Sequence, residues 1–346
     1  MKIDKTELLD ALYTLYQVKL RNKTDKIENL LLYIDFNANH VKVGIDQNYS
    51  LYIKIDAKVD TKETIAVNYL KFAGIVQNSI NQEIDLKLIQ NLLSVNKSLI
   101  NFRLVNRPNI NALPLKEDWT KIETKTLLSR IESVKYAISI DETRAVLRGV
   151  GINPNYVTAT DGHRLALCGD IAPNNTSPIS LMFFADLTYL FVKESTIEIA
   201  GKNGTTHIKG SNWEYIEDKG KYPAVQQLIP NFFKCECDCD REQLLDAVVR
   251  IGDTKPENNV IKLTLKPDQL ILENPSNKSQ IFIAASGNTK KREIAFSYDY
   301  LAECLDNINC KTIVININSS TDPVIINDKE KLSNEMGLIM PVKLRK

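Results

Sequence analysis

His163 stands between Asp161 and Arg164 in the run Thr158-Ala159-Thr160-Asp161-Gly162-His163-Arg164-Leu165-Ala166. An imidazole beside a carboxylate is what general acid–base chemistry uses, so a hydrolase built on His163 with Asp161 or Asp141 is the first reading to weigh. The chain offers such an enzyme little else. Histidine occurs only at 40, 163 and 207, and there is no Gly-x-Ser-x-Gly, His-Glu-x-x-His or Gly-x4-Gly-Lys-Ser/Thr. Ala200-Gly201-Lys202-Asn203-Gly204 follows a strand-like run and reads as a hairpin turn, not a phosphate cradle. The bland reading of the first run is an Asp-Gly turn between two strands, with His163 and Arg164 on its exterior. No catalysis is expected.

The elements that position this turn must be found in the rest of the chain. At 346 residues it suits two or three domains. Its formal net charge of +1 does not announce a nucleic-acid binder, and does not exclude one that acts through local basic segments. The amino terminus is charged at once and lacks an apolar signal core, and the stretch Leu181 to Val192, interrupted by Asp186, is too short to cross a bilayer. A cytoplasmic protein without membrane contact is expected. Cys235, Cys237 and Cys239 alternate, which on a strand places all three on one face and does not suit a structural zinc site. Neither metal nor cofactor is expected.

The chain repeats itself. Ile3-Asp4-Lys5-Thr6-Glu7-Leu8-Leu9, Ile122-Glu123-Thr124-Lys125-Thr126-Leu127-Leu128 and Cys239-Asp240-Arg241-Glu242-Gln243-Leu244-Leu245 share one pattern, with Leu pairs starting at 8, 127 and 244. Each continues with apolar residues at helical spacing and predicts an amphipathic helix. A second marker recurs around Ile65, Ile179 and Ile294, where a strand leads into a helix. Runs rich in Ile, Val, Tyr and Leu between the markers predict strands. The fold class is therefore α+β: three tandem similar domains, each a doubled β-α-β-β-β unit. Boundaries fall near 117 and 234, giving domains 1–117, 118–233 and 234–346. Similar domains that turn by the same rotation at each junction close a ring or grow a filament. Two chains of three would close a pseudo-sixfold ring, and a ring suits a threaded polymer.

With these residues in view the chain resembles the bacterial DNA polymerase III β subunit, the replication sliding clamp. The resemblance covers the whole chain and rests on the Thr-Asp-Gly-His-Arg-Leu-Ala run, on Ile27-Glu28-Asn29-Leu30-Leu31-Leu32 after a basic loop, and on Ile339-Met340-Pro341-Val342-Lys343-Leu344. It implies the DNA clamp fold, a head-to-tail homodimeric ring with helices inside and sheets outside. It implies a processivity factor and no enzyme, whose partners are duplex DNA threaded without sequence preference, the polymerase III catalytic subunit, an ATP-driven clamp loader and other clamp-binding replication and repair proteins. A clamp paralogue of a mobile element, serving a dedicated partner, is the alternative.

The resemblance also implies sites. Partner peptides, with a Gln followed by a Leu and a Phe, would dock in a groove between the second and third domains. It would be lined by Arg144, Leu147, Thr160, Gly162, His163, Arg164, Leu165, Pro230, Leu338, Met340, Pro341, Val342, Lys343 and Leu344. Leu147, Leu165, Pro230 and Met340 would supply an apolar pocket, while Arg144, His163 and Arg164 would hydrogen-bond the peptide. Phosphate contacts are expected from Lys19, Arg21, Lys23 and Lys26, with Lys125 and Arg130, and with Lys5, Lys71, Lys135, Arg241 and Arg250 on or near the helices. Ile110 and Ile281 are the expected apolar contacts where the ring closes.

Overall fold

In this computed structural model the described residues are 1–21, 27–37, 39–46, 49–59, 61–105, 119–170, 178–181, 184–202, 204–218, 220–230, 232–288, 291–331 and 333–343. The first repeat runs β1 (Lys2–Asp4), α1 (Lys5–Arg21), β2 (Leu31–Asn37), β3 (His40–Asp46), β4 (Ser50–Asp56), β5 (Thr64–Asn68), α2 (Tyr69–Asn78), β6 (Glu83–Ile89), β7 (Leu92–Val95), β8 (Ser98–Asn101) and a short β9 (Arg103–Leu104). The second runs β10 (Thr120–Glu123), α3 (Thr124–Val134), β11 (Val150–Ile152), β12 (Tyr156–Thr160), β13 (Arg164–Gly169), β14 (Ile179–Leu181), α4 (Phe184–Phe191), β15 (Thr196–Lys202), β16 (Thr205–Lys209) and β17 (Trp213–Asp218). The third runs β18 (Cys235–Asp240), α5 (Arg241–Asp253), β19 (Val260–Leu265), β20 (Gln269–Glu273), β21 (Gln280–Asn288), β22 (Arg292–Ser297), α6 (Tyr298–Asn307), β23 (Thr312–Ile317), β24 (Val324–Asp328) and β25 (Glu335–Ile339). The doubled β-α-β-β-β order is present in every repeat.

The structure gives the repeated sequence pattern a physical meaning. Its apolar first residue, Ile3, Ile122 or Cys239, is buried at the end of a strand. Its acidic second residue caps the following helix in the first and third repeats, where Asp4 Oδ1 accepts the Thr6 and Glu7 N–H groups and Asp240 Oδ1 accepts that of Gln243; in the second, Glu123 Oε2 accepts the Thr126 hydroxyl. A cap of this kind contributes about 1 kcal/mol. The Leu pair then turns Leu8, Leu127 and Leu244 inward, each 1% exposed or less.

The first residue of each helix closes its repeat. Lys5 Nζ donates to the carbonyls of Gln77 and Ser79, at the far end of α2. Thr124 Oγ1 donates to the Glu194 carbonyl beyond α4, and Arg241 donates to the carbonyls of Leu305 and Cys310, at and beyond the end of α6. Cations favour the carbonyl end of a helix, so Lys5 and Arg241 do their electrostatic work on the second helix of the repeat.

By contacts the chain divides into two units, Met1–Thr126 with Phe183–Gly220, and Leu127–Met182 with Lys221–Lys346. The second repeat is shared because sheets run across repeats. In the first unit β17 pairs antiparallel with β4, placing Leu51 opposite Tyr215. In the second, β25 pairs with β13, placing Arg164 opposite Ile339 and Leu165 opposite Leu338. Both seams join the third strand of one half-repeat to the third strand of another. The boundary expected near 117 lies outside the described residues, and the one near 234 immediately precedes β18. Among the described residues no helix is long and apolar enough to cross a membrane.

Candidate functional site

The β13–β25 seam brings the two distant motifs together. Met340 N–H donates to the His163 carbonyl at 2.9 Å, so the chain leaves β25 directly against the Asp161-Gly162-His163 turn. The turn is built from its own residues. Asp161 Oδ1 accepts the N–H groups of His163 and Arg164, at 2.8 and 3.0 Å, while Thr160 Oγ1 accepts that of Gly162 and donates to the Arg164 carbonyl. Gly162 has φ +90°, and a Cβ there would lie 2.7 Å from Arg144 Nη1. The positive φ is what favours glycine here, since the exposed Arg144 side chain can move aside.

Beneath the turn lies an apolar cluster of Leu147, Leu165 and Leu338 with Tyr156, Leu167, Tyr222, Val225 and Ile325. Val146, Ile229, Phe233 and Met336 pack on it half-buried. Three expected groove residues therefore share one cluster, and Pro230 adjoins its rim through Ile229. Tyr156, Val225, Ile229 and Phe233 escape the sequence reading because they lie on separate elements. The available signal was local: Ile229 and Phe233 bracket Pro230, and Val146 precedes Leu147. Met340 is 39% exposed at the edge of this surface, a polarizable side chain able to adapt to a partner.

Arg144 is exposed beside it, with Nε 3.5 Å from Asp141 and Nη1 donating to the Asp161 carbonyl. Thr143 donates to the Asp141 carboxylate through its hydroxyl and its N–H. These bonds, aided by Arg144, hold the carboxyl below its usual range. His163 is exposed at the turn.

Arg164 differs from the expectation of a free donor. Its side chain is 11% exposed and is engaged inside the fold, with Nε 3.1 Å from Asp161 Oδ2 and Nη1 against Glu303. The tail also departs from the cluster: Val342 N–H donates to the Ala295 carbonyl of β22. Val342 and Lys343 accordingly line a separate cavity of about 530 Å³ with Glu257, Asn258, Val260, Pro275 and Ser276. Leu344 lies outside the described residues.

The expected phosphate contacts fare unevenly. Lys19 is 1% exposed, and a buried ammonium is not offered to a phosphate. Arg21 ends α1, and Lys23 lies outside the described residues. Lys125 is exposed, while Arg130 is half-buried with Nη1 3.4 Å from the Pro154 carbonyl. Lys5 and Arg241 are taken by helix closure, Lys135 pairs with Glu132, and Arg250 with Asp246. Among the described residues the exposed charges of α1, α3 and α5 are Glu7, Asp10, Lys125, Glu132, Glu242, Asp246, Arg250 and Asp253. That balance is acidic, Lys71 on α2 is exposed, and the basic loop 22–26 lies outside the described residues.

Ile110 lies outside the described residues. Ile281 is half-buried against the core of the third repeat, and its neighbour Phe282 is 61% exposed. Cys235, Cys237 and Cys239 all point inward from β18. Burial pushes the Cys237 thiol up to about 11.

Residues 226–343 match the family described as DNA polymerase III beta subunit, C-terminal domain. The beta sliding clamp of Synechococcus elongatus is 27% identical over 347 aligned residues, covering 92% of this chain and 92% of that one. The beta sliding clamp of Staphylococcus aureus is 24% identical, covering 88% of each. The crystal structure of the Caulobacter crescentus DNA polymerase sliding clamp superposes with a TM-score of 0.70 at 18% identity, over 99% of both chains, and shares the fold.

Proposed function

We propose that this chain, a relative of the bacterial DNA polymerase III β subunits, is a DNA sliding clamp. It tethers partner proteins to duplex DNA through the surface formed by the Asp161-Gly162-His163 turn, the Leu147–Leu165–Leu338 cluster and Met340. The observation that carries the docking site is the hydrogen bond from Met340 to His163, which joins both motifs over one apolar cluster. Such a surface suits a short peptide: aromatic and aliphatic side chains enter the apolar part, and exposed Arg144 and His163 meet its polar atoms. No bond is made or broken in this role.

Ring closure follows from the seam rule. Third strands pair as β17 with β4 and β25 with β13, which among the described residues leaves one edge of β8 in the first repeat and one edge of the first half of β21 in the third. Leu99 on β8 and Phe282 on β21 are 55% and 61% exposed. An unpaired edge with exposed apolar residues invites a partner strand, and a second copy meets the need of both edges at once. Three domains from each of two chains then enclose the duplex as a head-to-tail dimer. Polymerase III, a clamp loader and other replication and repair proteins are the proposed occupants of the docking surface.

The docking site is tested with a fluorescent Gln-x-x-Leu-Phe peptide. Anisotropy is expected to report saturable binding to the full chain, and its loss on deleting residues 340–346. Unchanged binding after the deletion would overturn the proposed site.

A further inference from the structure

Arg164 sits in the middle of the candidate site with no direction left to face a partner. Its Cζ lies 4.5 Å from the Tyr300 ring centroid and 5.5 Å from that of Tyr136. Nη2 donates to the Tyr136 carbonyl at 2.7 Å, Nε bonds Asp161, and Nη1 faces Glu303. Tyr300 and Glu303 both belong to α6. The Asp161 carboxylate is gripped by this guanidinium through one oxygen and holds the turn amides of His163 and Arg164 through the other. The His163 carbonyl, fixed by that turn, receives Met340 N–H. An unbroken line of polar contacts therefore runs from α6 through Arg164 and Asp161 to the tail.

We propose that Arg164 is a positioning residue for partner docking. By holding Asp161 against α6 it sets the conformation of the turn and the place of Met340, and so the shape of the apolar surface, without touching the partner itself. The inference rests on the docking function proposed above. A planar fork against two aromatic rings, hydrogen-bonded through Nε and Nη2 with Nη1 facing the Glu303 carboxylate, is a task lysine cannot perform. Coupled polar networks of this kind lose more than one contact when a member is removed.

The test measures anisotropy of the Gln-x-x-Leu-Phe peptide and of its Ala-x-x-Leu-Phe variant on the full chain, with melting curves recorded for every protein. Arg164→Ala is expected to weaken both peptides by the same factor, about tenfold, as loss of a network contact worth ~1.4 kcal/mol would do. Arg164→Lys is expected not to restore binding. Tyr300→Leu, the milder variant if Arg164→Ala is poorly folded, is expected to weaken binding, and the double variant to be no weaker than Arg164→Ala alone. A loss that vanishes with the Ala peptide, or full binding by Tyr300→Leu, would overturn the proposal by making Arg164 a direct contact. Hydrogen exchange at the Met340 amide reads positioning without any peptide. Faster exchange in Arg164→Ala is expected even if the docking function fails, and unchanged exchange overturns the inference.

Discussion

The two seams obey one pairing rule and are packed in opposite ways. At the middle of the β4–β17 seam Leu51 faces Tyr215, and at the corresponding place in the β13–β25 seam Ala166 faces Gly337. The large pair is accompanied by Tyr52 and Trp213, and Tyr215 stacks tilted on Tyr49 at 5.2 Å. Beside that seam lies a partly open cavity of about 400 Å³ among α1, β4 and α4, where Ala11, Thr14 and Leu190 line it together with Glu7, Asp10, Lys54 and Lys193. The small pair instead leaves room on the strand. Without a side chain on Gly337, the Cys304 thiol of α6 packs onto the strand, and a Cβ would collide with it. Close approach of α6 brings Tyr300 and Glu303 to Arg164. A joint packed for bulk gives cohesion, while one packed for proximity lets a helix govern a surface turn. The candidate docking site lies on the second.

Gly337→Val should erase this difference. The added carbons have no space beside Cys304, and overpacking here is expected to cost about 3 kcal/mol in urea denaturation, with peptide binding lost as well. An unchanged midpoint would mean that proximity is not what distinguishes the seam. Phe282→Arg extends the comparison to the third seam proposed above, between chains. The side chain is exposed, so the fold should stand, while the dimer dissociation constant in sedimentation should rise about a hundredfold, ~2.7 kcal/mol. The wild-type chain, once loaded, should be retained on circular but not linear DNA, and the variant on neither. Persistence of the dimer would remove β21 from ring closure. Ala11→Leu should sharpen the contrast from the other side by partly filling the cavity behind the bulky seam. A gain of about 1 kcal/mol in the same denaturation measurement is expected. Destabilisation would show that this space cannot accept more carbon.

How much of this was legible in the sequence varies with the range of the interaction. The threefold repeat was readable because its markers act within one turn of helix: an acidic cap, then an inward Leu. Strands were readable from β-branched runs for the same reason. Long-range burial was not. Lys19 reads as a surface cation by type and is buried, and Arg164 reads as a donor although its partners Tyr300 and Glu303 lie on a helix of the following repeat. Lys5 and Arg241 carried a local warning, since a cation in the first turn of a helix opposes its dipole. That warning pointed to the partner each finds at the end of another helix. The placing of the terminal motif beside the Asp-Gly turn came from family resemblance, because nothing in the spacing of residues 164 and 339 says that their strands pair.

The pairing of β13 with β25 also orders events during synthesis. β13 emerges first and exposes a hydrogen-bonding edge, and its partner β25 comes from the following repeat. A chain interrupted anywhere before β25 could complete its earlier strands and helices yet would lack one wall of the proposed docking surface, with the other wall left as an open edge prone to wrong pairing. The proposed docking surface is thus assembled only once β25 has been made and paired with β13.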